Sequence, residues 1–141
     1  MIRSDRAFLS VQSTLTTPAE ISQILRLEPT DVTEMGSVSR LGRVREHHSW
    51  SMRVETLDNT DEDQTGTRAL RTLLEQCIPA RGRVKELPTD CDARIWWSGD
   101  SDSSQGGFVI RADLVHMVAV LGIDLMATVY FDDDESVTSA I

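Results

Sequence analysis

With 141 residues, 40% of them hydrophobic and 26% charged, the chain has the length and make-up of a single globular domain. No apolar run approaches the roughly 20 residues that a membrane-spanning helix needs, and Met1-Ile-Arg-Ser-Asp-Arg6 has no apolar signal core, so no membrane contact and a cytoplasmic address are expected. The net charge of -9 is uneven: residues 1–57 hold seven arginines against seven acids, and residues 58–141 hold seven basic residues against sixteen acids, a surplus that repels phosphates and disfavours general nucleic-acid binding.

The first predicted strand is Ala7 to Ser13, with Ala7, Leu9 and Val11 on one face and Phe8, Ser10 and Gln12 on the other. Thr17-Pro18-Ala19-Glu20 reads as a capping box with proline at the first helical position, starting a helix that buries Ile21, Ile24 and Leu25 and stops before Pro29. Glu28 to Glu46 lacks a sustained period and is either a long loop or a loop with a short strand; it carries the arginine trio Arg40, Arg43 and Arg45.

Strict alternation then sets His48, Trp50, Met52 and Val54 against His47, Ser49, Ser51, Arg53 and Glu55, the cleanest strand signal in the chain. After the acidic loop Leu57 to Gly66, a helix near Thr67 to Cys77 buries Ala69, Leu70, Leu73, Leu74 and Cys77 and ends before Pro79. A third strand, Ala93 to Ser98, puts Ala93, Ile95 and Trp97 opposite Arg94, Trp96 and Ser98. In Asp113 to Phe131 the apolar spacing changes from helical to alternating across Gly122: Leu114, Met117, Val118 and Leu121 share a helix face, Gly122 caps it, and Leu125, Ala127, Val129 and Phe131 alternate as a buried strand. Residues 132–141 open on Asp132-Asp-Asp-Glu135 and read as a frayed acidic tail.

The expected fold is therefore an α+β two-layer sandwich, a mixed sheet of at least four strands in β-α-β-α-β-α-β order with helices mainly on one face. The strand order is not readable from the sequence.

Phe8-Leu-Ser-Val11, Leu15-Thr-Thr-Pro-Ala-Glu-Ile21, Leu25-x-Leu27-x-Pro29-Thr30, Gly36, the isolated Trp50 strand, the Leu-rich second helix and Leu121-Gly-Ile-Asp-Leu-x-x-x-x-Tyr130 together resemble a bacterial family, domain of unknown function 4279, over nearly the whole chain. The resemblance implies a small stand-alone bacterial domain and carries over no functional residues. An immunity-like partnership with a toxin is an analogy of size and charge alone.

The search for chemistry gives no catalytic residue, metal site or cofactor. His47 and His48 are adjacent on a strand and so point to opposite faces. The acidic loops miss the calcium-loop pattern: counted from Asp61 the twelfth residue is Thr72, and counted from Asp100 the sixth is Gln105. Cys77 and Cys91 have no CxxC spacing and read as buried thiols of a reducing compartment. Two surface features remain. Arg94, Trp96, Met126 and Tyr130, with Thr128 and Phe8, would share the second face of the sheet, a composition suited to binding a protein partner or a second copy, unless a helix or the long loop covers it. The alternative is an anionic small-molecule site, or a catalytic one, using Arg40, Arg43 and Arg45.

Overall fold

The computed structural model describes residues 1–131. Five strands and three α-helices follow one another as β1 (Ile2–Ser13), α1 (Pro18–Leu25), β2 (Asp31–Thr33), β3 (His48–Asp58), α2 (Arg68–Gln76), β4 (Asp92–Ser101), α3 (Ala112–Leu121) and β5 (Asp124–Phe131), with 3-10 turns at Ile78–Ala80 and Val84–Glu86. The sheet order is β2-β3-β1-β4-β5, antiparallel throughout except for the parallel β4–β5 pair.

An α+β fold with a mixed sheet is thus present, but the strict strand–helix alternation is corrected. The extra strand β2 precedes β3 with no helix between them, so the order is β-α-β-β-α-β-α-β. That strand is only three residues long and lies within the segment whose period could not be read. The rest of the segment folds as a hairpin arm: Val38 bridges Val44, the Gly36 amide donates to the Arg45 carbonyl and the Arg45 amide to the Ser37 carbonyl.

The long central strand β1 is buried at every second position, Ile2 apart: Asp5, Ala7, Leu9, Val11 and Ser13 face α1 and α2 together with Trp50, Met52 and Val54 of β3 and Ile95 and Trp97 of β4. The cap of α1 matches its sequence, with the Thr17 hydroxyl accepting the Glu20 amide and Pro18 at the first turn. The indole N–H of Trp50 donates to Ser22 Oγ at 3.0 Å and so ties β3 to α1.

Helix α2 begins without a cap from its own Thr67. Its first free amides are taken by a residue 64 positions earlier, since Asp5 accepts from Ala69 N at 2.9 Å and Leu70 N at 3.1 Å, and also from the Trp97 indole at 2.9 Å. Gly99 is required beside that indole, because a Cβ there would stand 2.8 Å from the Trp97 ring and 2.9 Å from Ile2.

At the C-terminal end Leu114 and Leu121 anchor α3 in the core, and Gly122 ends it at φ 76° with its amide donating to the Val118 carbonyl. The expectation of a buried strand after it is corrected. β5 is the edge of the sheet, only Leu125 and Val129 are half-buried, and Met126, Ala127, Thr128, Tyr130 and Phe131 are exposed. Alternation correctly sorts these residues into two faces, but it does not reveal that α3 covers one of those faces only in part. The expected acidic tail, residues 132–141, lies outside the described residues.

One carboxylate accepts all three amides of the turn after β1, which the Ser13 hydroxyl also spans by donating to the Thr16 carbonyl. Asp90 accepts the amides of Thr14, Leu15 and Thr16 at 3.2, 2.8 and 2.8 Å and the Thr16 hydroxyl at 2.9 Å. These donors favour the charged form and pull its pKa far below the ordinary value of 3.8. A lowered folded pKa adds stability above that ordinary value and loses it as the pH falls through the folded one. Asp90→Asn is therefore expected to speed hydrogen exchange at Thr14, Leu15 and Thr16 at neutral pH, while exchange at Leu9 and Val11 stays slow. Unchanged protection at those three amides would show that the carboxylate does not hold the turn.

Candidate functional site

The face of the sheet opposite α1 and α2 is built by register. Phe8 of β1 stands between Arg53 of β3 and Trp96 of β4, and Trp96 in turn opposes Met126 of β5. One step along, Ser51, Ser10, Arg94 and Asp124 form the next row; on the other side Arg6, Ser98 and Thr128 align, followed by Asp100 opposite Tyr130. The structure therefore places all four predicted residues, Arg94, Trp96, Met126 and Tyr130, on one face, with Phe8 and Thr128 beside them.

Two aromatic contacts organise this face. Phe8 and Trp96 stack with ring centroids 6.4 Å apart and planes 19° from parallel, while the Arg6 guanidinium lies 5.6 Å from the centre of the Tyr130 ring. Trp96 is half-buried by its neighbours, and Met126 and Tyr130 remain 39% and 53% exposed. Beside Trp96 lies a notch of about 200 Å³ lined by Ser10, Gln12, Asp92, Arg94 and Trp96. That is below the roughly 300 to 1,000 Å³ of small-molecule pockets and suits one inserted side chain.

Each arginine of the face already has an aspartate: Arg94 with Asp92 at 3.2 Å, Arg6 with Asp100 at 2.9 Å and Arg53 with Asp31 at 3.5 Å. The three pairs cancel, and Asp124 in the row of Arg94 leaves the face with a small negative excess. Exposed pairs of this kind contribute about 0 to 1 kcal/mol, so they can be exchanged for other partners at little cost. Sequence reasoning missed Arg6 and Asp100, because the predicted strands stopped short of both.

The arginine trio takes a different place. Arg40 and Arg43 are exposed and Arg45 is half-buried on the hairpin arm, which also exposes Val38, Leu41 and Val44. The arm leaves the sheet at the His48 end of β3, where the Met35 amide donates to His48 Nδ1 at 3.0 Å. A cavity of about 630 Å³ lies at the opposite end of the sheet, lined by Arg3, Ser4, Asp58, Asn59, Thr60, Asp61, Gln64 and Asp102 with Met1. The structure brings the three arginines onto one hairpin but does not bring them to that cavity.

Both cysteines are free. Cys77 is buried and its thiol is pushed up to about 12 by desolvation, which leaves it protonated and unreactive at neutral pH; Cys91 is half-buried and also shifted upward by burial. Among the described residues no group of three or more His, Cys, Asp or Glu stands close enough to hold a metal ion, and no helix is long and apolar enough to cross a membrane.

No curated protein and no solved structure matches the chain. Residues 3–132 match the family model described as Domain of unknown function (DUF4279), a span that runs from β1 to just past β5 and includes every element positioning the open face. The chain belongs to the DUF4279 family.

Proposed function

We propose that this protein is a non-catalytic, cytoplasmic interaction domain that binds a protein partner on its open sheet face. The observation carrying this reading is the continuous strip Phe8–Trp96–Met126, with Tyr130 nearby, lying on the side of the sheet that α1 and α2 leave uncovered. Tryptophan, tyrosine, methionine and arginine are the side chains enriched where protein interfaces are fully desolvated. The three local ion pairs cancel the charge of the arginines on the face, so the aromatic strip and the notch beside Trp96 supply the recognition, and the arginines form an exchangeable rim. Two free thiols agree with a reducing compartment.

The test is affinity capture from the native host, followed by measurement of the purified pair. Trp96→Asp should weaken the captured complex at least about 30-fold, the effect of losing a central aromatic anchor, whereas Thr56→Asp, exposed on β3 outside the strip, should leave it unchanged. Equal binding by both variants, or a Trp96→Asp chain that no longer folds, would remove the open face as the site.

A further inference from the structure

The two edges of the sheet are unlike. β2 closes one edge with three residues, the common way of blunting an edge. β5 ends the other with eight, Asp124-Leu-Met-Ala-Thr-Val-Tyr-Phe131, and after Asp124 it has no charge, no proline and no glycine. Among the described residues its outer row of backbone amides and carbonyls pairs with no strand. A long edge without such protection, ending in the strand formers Thr128-Val-Tyr-Phe131, is a template for another strand.

The helix beside this edge is equally unprotected. Leu114 and Leu121 fix the core side of α3, and the Arg71–Asp113 ion pair at 2.8 Å fixes the side facing α2. Val115 is two residues past Asp113, roughly 200° around the helix, and Ala119 follows one turn later. Both therefore lie on the flank turned away from α2, above the β5 edge; Val115 is 53% exposed and Ala119 is exposed as well. Below them on the same side of the sheet, β5 exposes Ala127 and Phe131.

We infer that this edge is a homodimer interface, in which β5 of one copy pairs antiparallel with β5 of a second about a two-fold axis perpendicular to the sheet, joining two five-stranded sheets into one and bringing the two α3 flanks together. Self-pairing satisfies both exposed features with one operation, because the axis that sets strand against strand also brings the Val115–Ala119 flank of one copy against the same flank of the other. An eight-residue strand is about 26 Å long, and the strand and helix layers together are about 20 Å deep, so each copy would cover about 500 Å² in projection. Side-chain relief raises this toward the roughly 800 Å² per partner of a stable interface. The interface adjoins the open face, because Met126, Thr128 and Tyr130 lie on the other side of the pairing strand, and the two copies would present their open faces side by side.

Sedimentation over a wide concentration range tests the inference. The wild-type chain should be a dimer. Val115→Lys and Ala127→Lys should each raise its dissociation constant about 100-fold or more by burying an unpaired ammonium, with unchanged circular dichroism. Trp96→Asp should remain dimeric while losing partner capture, which separates this interface from the proposed binding face. A cross-link keeps the test independent of how the lysine variants fold. A two-fold near the middle of β5 sets one residue opposite itself, within disulfide reach. In a Cys91→Ser background, Ala127→Cys or Thr128→Cys should therefore form an oxidised dimer, and Ser39→Cys on the arm should not. A wild-type monomer at every concentration, lysine variants as dimeric as wild type, no cross-link at either β5 position, or dissociation by Trp96→Asp would each overturn it.

Discussion

Asp5→Ala is expected to destabilise the fold by about 3 kcal/mol or more, measured by the shift in denaturant midpoint. The side chain is 1% exposed and serves three buried donors, the amides of Ala69 and Leu70 and the indole of Trp97. An alanine leaves all three without an acceptor, and each unsatisfied buried donor costs about 1 to 3 kcal/mol. Part of that loss is offset, because burial of a carboxylate is itself unfavourable. Desolvation outweighs the three donors and raises the Asp5 pKa above its ordinary 3.8.

The pH dependence of the variant separates these contributions. A carboxyl group with a raised folded pKa contributes stability that is fully present below the unfolded value and is lost as pH rises through the folded one. Asp63, Asp102 and Asp113 are shifted downward by the Thr65 hydroxyl, the N-terminal ammonium and Arg71 respectively, and they act in the opposite sense. The wild-type gain on leaving acid is therefore a difference between the two kinds of group. Removing Asp5 should steepen the rise in stability above pH 3.8. A loss below about 1 kcal/mol, smaller than a single orphaned donor costs, would show that α2 does not depend on this carboxylate, as would an unaltered slope.

Asp5 also marks the limit of what the sequence reveals. Its period-two position places it on the buried face of β1, in phase with Ala7, Leu9 and Val11, but the apolar pattern begins only at Ala7 and a carboxylate at such a position looks like the strand's end. The bond that justifies it spans 64 residues, and local spacing contains no information about contacts at that range. The arrangement of the sheet is hidden for the same reason: β1 pairs with both β3 and β4, and the sequence pattern of each strand is compatible with many neighbours. Local signals do better. Thr17 and Pro18 start α1, Gly122 ends α3, and the parity of Trp50 and of the Trp96–Trp97 pair puts each indole on the face where the structure has it. The same parity assembled Arg94, Trp96, Met126 and Tyr130 on one face. What covers a face depends on the other layer of the fold, and on β5 that layer is incomplete.

Trp50→Ala should cost about 3 to 5 kcal/mol, whereas Trp96→Ala should cost about 1 kcal/mol. Trp50 has no exposed surface and its indole N–H is bonded to Ser22, so truncation opens a large void between β3 and α1 and orphans a hydroxyl partner. Trp96 stands on the opposite face, half-buried, and its contribution to the monomer is chiefly the stack with Phe8 at 6.4 Å. Phe8→Ala in the Trp96→Ala background should then add less than it does alone, since the two rings share one contact. Chemical denaturation followed by far-UV circular dichroism checks all four proteins, with the slope of the transition expected to stay constant. Losses of equal, large size for Trp50 and Trp96 would mean that the second face is internal, and the strip of aromatic residues would then be core instead of a binding surface.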